Sequence, residues 1–221
     1  MPARDVIERN LEEVRRRISE AALRAGRAPD SVRLVAVVKT VGIEEIRTLL
    51  EFGVTDVGEN RVEGARSKVE AAGSKALWHM IGTVQRRKAG DVAALFDCVD
   101  SVDRIESAEA LDRKCAERGK AMPVLLEVNV SGEASKHGFT QAELPAALER
   151  IGLLSYVRVE GLMTMAPLVD DPEDVRPVFA GLRKLAEPLG LSELSMGMSN
   201  DFEVAIEEGA TQVRIGTALF S

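Results

Sequence analysis

Cysteine, histidine and tyrosine are scarce in this 221-residue chain, with two, two and one of each. Cys98 lies in a short apolar run and Cys115 in a charged helical pattern, so both read as reduced structural thiols rather than a disulfide. His79 and His137 occur without an HExxH or CxxC arrangement, and no metal site is expected. No segment approaches about 18 consecutive apolar residues, and the opening MPARDVIERN has no apolar core of signal-peptide length. A cytoplasmic protein with no membrane partner is therefore expected. Positive charge is also in deficit: 29 basic against 36 acidic residues give a net charge of -7. That disfavours nucleic acid as a partner, because a phosphate backbone calls for a clustered basic face. The runs Arg15-Arg16-Arg17 and Arg86-Arg87-Lys88 sit in helical patterns among acidic neighbours and read as solvated helix surface. No composition break or Pro/Ser-rich linker divides the chain, so residues 1–221 are expected to form one domain.

What is present is an alternation. Val6, Leu11, Val14, Ile18, Ala21, Ala22 and Leu23 recur at roughly helical spacing over 4–26, where Gly26 caps the helix. Strands are then expected at 33–38, 55–57, 77–81, 97–101, 123–130, 157–163, 193–196 and 212–215. Between them helices are expected at 43–52, 61–72, 84–95, 105–118, 141–151, 173–189 and 202–208. Repeated βα units imply parallel strands joined by right-handed crossovers. The eightfold count favours an α/β fold of one kind: a single (β/α)8 TIM barrel with an additional N-terminal helix. Neither GxGxxG nor GxxxxGKS follows the first strand, which weakens an open nucleotide-binding sheet.

In such a barrel the chemistry sits where the strands end. The run RLVAVVKT stops at a lysine, and alternation places Val35, Val37 and Lys39 on one face. If that face lines the lumen, loss of hydration disfavours the ammonium form and leaves an amine able to meet an aldehyde. For an arbitrary strand end, a lysine reaching into solvent is the commoner outcome. Gln212, Arg214 and Gly216 share a face of the last strand, which neighbours the first in a closed barrel. Arg214 then needs an acceptor: a ring nitrogen, or a carboxylate such as Glu59. Ser199 or Asn200 is expected to cap the short helix after strand seven, and Gly216-Thr217 follows strand eight. Loops in those two places form the usual phosphate site of a barrel.

Taken together, LVAVVKT, GENRVEGARSK, WHMIGTVQRRK, VNVSGEASKHGF, GLMTM and LSMGMSNDFEVAIEEGATQVRIGTALF resemble the pyridoxal phosphate homeostasis protein family from Leu34 to Phe220. The resemblance implies a barrel related to the N-terminal domain of alanine racemase, binding pyridoxal 5'-phosphate (PLP) as an internal aldimine. By it, Lys39 is the Schiff-base lysine, Asn60 lies beside the cofactor, and Ser199, Gly216 and Thr217 hold the phosphate. Arg214 faces the pyridine nitrogen, His79 and Met163 line the same mouth, and Lys136 lies in a loop near the site with a role in PLP exchange. The pattern continues past GTALF with a glycine and a short tail, whereas this chain ends at Ser221. The implied function is storage, delivery or buffering of PLP by a monomer, with PLP-dependent apoenzymes as recipients. The alternative is a PLP-dependent amino-acid racemase-like enzyme. A racemase of this barrel type needs a second acid/base group. The single tyrosine, Tyr156, starts a strand, at the far end from such a site.

Overall fold

The computed structural model describes residues 4–133 and 136–221. Eight strands close into a barrel in chain order, and every neighbouring pair is parallel. They are β1 (Arg33–Val37), β2 (Asp56–Glu59), β3 (Leu77–Met80), β4 (Cys98–Val102), β5 (Met122–Glu127), β6 (Val157–Met163), β7 (Glu193–Ser195) and β8 (Gln212–Ile215). The helices are α1 (Arg4–Arg24), α2 (Ile43–Glu51), α3 (Val62–Ala72), α4 (Ala89–Leu95), α5 (Ile105–Ala116), α6 (Leu144–Gly152), α7 (Arg176–Ala186), α8 (Phe202–Glu207) and α9 (Thr217–Phe220). Alternation along each strand sorts side chains between lumen and helix layer. Ala36 and Val38 join the core between strands and helices, whereas Val35 and Val37 are buried apart from it, in the lumen.

The N-terminal helix α1 buries Ile7, Leu11, Val14, Ile18, Ala21 and Ala22 against α2, α8 and α9. Its expected stripe holds from Leu11 to Ala22, whereas Ile7 rather than Val6 is buried at its start and Leu23 turns outward. Arg17 lies over the Phe202 ring and pairs with Glu203, and Arg24 pairs with Glu207, which fixes α1 across α8.

Three expected elements differ. The helix over 84–95 is a 3₁₀ turn at Arg86–Lys88 followed by α4. Val84 is buried and its carbonyl accepts the Ser107 hydroxyl, which anchors that residue outside the helix. The helix over 173–189 is likewise divided, with 3₁₀ turns at Pro172–Val175 and Glu187–Leu189 on either side of α7. Pro188 has no N–H to continue the ladder. Finally β5 ends at Glu127. Val128 then bridges Phe139, closing the long loop at its base. α9 is four residues long, too short for periodicity to reveal.

Candidate functional site

Most of the chemistry-bearing residues gather at the C-terminal mouth. Val35 of β1 stands opposite Arg214 of β8, so the strand leading to Lys39 lies beside the arginine, as alternation and closure predict. β1 itself stops at Val37, and Lys39 occupies a turn closed by the Val41 N–H on the Val38 carbonyl. Lys39 is exposed. The desolvated lumen lysine expected above is therefore corrected: the side chain reaches water, because the chain has already left the strand. The peptide just before it is held firmly. Lys68 Nζ donates to the Val38 carbonyl at 2.6 Å and pairs with Glu59 at 2.6 Å.

That pair also settles the alternative partner for Arg214. Glu59 faces the helix layer, accepting from Lys68 and from the backbone N–H groups of Asn60 and Arg61, and does not meet the arginine. Arg214 is buried and donates from Nη1 to Ser195 Oγ at 2.6 Å and from Nη2 to the Thr164 carbonyl at 2.9 Å. Burial pulls its guanidinium below the ordinary value, opposed by the charges of Asp100, Glu127 and Asp201.

The two loops chosen as anion candidates are joined: Ser199 Oγ accepts the Ala218 N–H at 3.2 Å, beside Gly216 and Thr217. The cap of α8 is Asp201 rather than Ser199 or Asn200, and its carboxylate accepts the Met198 N–H at 2.6 Å. This turn depends on Gly197, whose φ of +94° and approach to Phe202 and Ala205 leave no room for a side chain. Asn60 follows β2 directly and is half-buried, and Met163 is the fully buried last residue of β6. Lys136 donates to the Met165 carbonyl at 3.1 Å and pairs with Glu133, which brings the loop after β5 against the end of β6. Ala134 and Ser135 of the same motif lie outside the described residues.

His79 does not belong to this group. Its ring is buried, with Nε2 3.1 Å from Asp56 Oδ1 and Nδ1 3.2 Å from Asp100 Oδ1. Asp56 is the first residue of β2, at the opposite end from Asn60. His79 also lines a cavity of about 270 Å³ ringed by strand starts, among them Arg33, Leu77, Pro123 and Gln212. The expectation that it lines the mouth is thus corrected; its side chain points toward the N-terminal end. Burial alone would lower its basicity, but Asp100 and Asp56 outweigh this and hold it well above the ordinary histidine value.

One residue at the mouth escaped the sequence reading. Glu127 ends β5 facing the lumen, and its carboxyl is pushed up to about 7 by burial and by the charge of Asp103, against the pull of Arg214. The signal was available: Leu125 and Glu127 share a face of PVLLEV, so the acid had to enter the lumen. Tyr156, by contrast, lies at the start of β6 as anticipated, its N–H bound to Asp112.

Residues 5–221 match the family of the alanine racemase N-terminal domain. The chain is 42% identical over 217 residues to the pyridoxal phosphate homeostasis protein of Aquifex aeolicus, covering 95% of both chains. It is 38% identical over 228 residues to the one from Escherichia coli, covering 97% of this chain and 95% of the other. The chain belongs to the pyridoxal phosphate homeostasis protein family. A solved structure similar to this family member is PipY of Synechococcus elongatus with PLP bound, at 35% identity and a TM-score of 0.81, covering 92% of this chain and 100% of that one. Clostridium difficile alanine racemase has a TM-score of 0.79 at 14% identity, covering 97% of this chain and 56% of its own. That likeness shows the barrel alone. Among the described residues no helix is long and apolar enough to cross a membrane.

Proposed function

We propose that the C-terminal mouth binds pyridoxal 5'-phosphate and that the protein stores, delivers or buffers this cofactor with little turnover of its own. The observation that carries this is Arg214: a buried guanidinium on the strand beside Lys39, held by a hydroxyl and a carbonyl rather than by a carboxylate. Those two bonds use part of its five donors, so it can also serve a ring nitrogen. When bound, PLP supplies an aldehyde for an amine and a pyridine ring that acts as an electron sink in its protonated form. The protein's own residues fit that group. Lys39 presents an exposed amine, Ser199 with Gly216-Thr217 forms a joined backbone-and-hydroxyl clamp for the phosphate, and Asn60 and Met163 flank the mouth. Arg214 stays charged and only donates, which keeps the ring nitrogen unprotonated and weakens the sink. A monomeric, cytoplasmic carrier passing PLP to dependent apoenzymes follows from this reading, and an exposed lysine suits exchange.

Borohydride reduction of the PLP-loaded protein followed by peptide mass spectrometry is expected to place the cofactor on Lys39, and Lys39→Ala is expected to lose the bound chromophore. A cofactor trapped elsewhere, or a Lys39→Ala protein with an unaltered spectrum, would overturn the assignment. One observation favours a second reading, a PLP-dependent amino-acid racemase-like enzyme. Glu127 is a carboxyl group at the mouth that titrates near 7, where a general acid or base works best. Racemisation of a common amino acid at about 1 per second or faster would decide for it.

A further inference from the structure

The parallel register of β3 and β4 sets His79 directly opposite Cys98, and Asp100 follows two residues along β4. Each of these three side chains offers a ligand atom within 4.8 Å of the others. We propose that they form a transition-metal site at the N-terminal end of the lumen, suited to Zn²⁺ or an ion of similar preference. The set is one imidazole, one thiolate and one carboxylate, a mixture that suits zinc and disfavours magnesium or calcium, which require all-oxygen shells.

The outer partners are already in place. Asp56 Oδ1 faces His79 Nε2 at 3.1 Å, which turns Nδ1 toward Asp100. Gln212 Nε2 donates to Asp100 Oδ2, which leaves Oδ1 facing the imidazole. Carboxylates and amides in these positions orient ligands and fix the histidine tautomer in zinc proteins. The 270 Å³ cavity beside the cluster supplies the way in and room for a water as fourth ligand. Asp56, Asp97, Glu160 and Glu193 on its wall attract a cation, with Arg33 as the opposing charge.

A metal takes Cys98 as thiolate and His79 through a ring nitrogen free of its proton, so entry of M²⁺ sends the Sγ proton, and any proton on that nitrogen, to solvent, and the dication is met by the thiolate and by Asp100. Nothing in this site depends on a cofactor at the opposite mouth.

Titration of the full chain with Co²⁺ tests this directly. The expected result is one ion per chain, a near-ultraviolet thiolate-to-cobalt charge-transfer band and displacement by Zn²⁺. Cys98→Ser is expected to abolish the band and Cys115→Ser to retain it. Asp56→Asn is expected to weaken affinity about ten- to a hundredfold. Should a variant fail to fold, wild type answers alone: Zn²⁺ is expected to protect Cys98 from alkylation, read by mass spectrometry. Sub-stoichiometric binding, a band that survives Cys98→Ser, or alkylation of Cys98 unaffected by Zn²⁺ would overturn the site.

Discussion

Glu127 holds its proton to about pH 7 because the folded barrel removes water from it and sets Asp103 nearby. Between the ordinary carboxylate range and pH 7 the folded protein therefore keeps on Glu127 a proton that the unfolded chain has lost, and the contribution of this residue to stability falls as pH rises through that window. Glu127→Gln removes the ionising group. It is expected to match wild type near pH 4.5 and to exceed it at pH 8 by about 1 to 3 kcal/mol, checked by urea unfolding at both values. A difference between Glu127→Gln and wild type that stays constant from pH 4.5 to 8 would contradict the assignment. Residues of this kind were legible in proportion to how far alternation alone decides them. Lys39 and Arg214 came from strand-end position and face, although Lys39 lies past the strand in an exposed turn, and Met163 came from the family resemblance. The destination of His79 did not, because a lumen-facing ring can turn toward either end of the barrel, and only the partners Asp56 and Asp100 decide which. Its proximity to Cys98 was hidden for a related reason: strand register, not spacing along the chain, makes neighbours in a parallel sheet.

At the scale of elements, α1 is the piece a bare barrel lacks, and its apolar stripe covers α2, α8 and α9. Leu11 is buried at its centre, and Leu11→Ala is expected to cost about 2 to 5 kcal/mol by loss of packing and the cavity left behind. PLP loading at saturating cofactor is expected to persist in that variant, measured by absorbance after dialysis, because α1 contributes no residue to the mouth. All eight strands and the helices between them were legible from the alternation of period two and helical spacing. The differences arose where side chains compete with the helix ladder: Val84 held by Ser107, and prolines that divide the segment around α7. The return of the loop after β5 was not legible, since the pairing of Val128 with Phe139 spans a stretch without periodicity.

At the scale of the whole molecule, ligand binding and folding are linked. Cofactor held only by the native barrel at a hundred times its dissociation constant adds about 2.7 kcal/mol, an increase of roughly 5 to 11 °C in Tm for a chain of this size. Differential scanning fluorimetry with PLP is expected to show that rise in wild type and a smaller one in Arg214→Ala relative to its own ligand-free form. The closure of β8 onto β1 has a further consequence. A sealed ring of strands has no margin: every strand finds a neighbour on both sides, so a second molecule has no open row of backbone groups to extend. The large apolar side chains that remain outside, such as Leu23 on α1, Leu77 on β3, Leu153 just after α6 and Leu168 in the loop after β6, stand on separate segments and do not supply a substitute. Self-association through strands must therefore wait for the ring to open at one seam. That event bares two margins at once, so the resistance of this protein to aggregation is only as durable as its least stable pair of neighbouring strands.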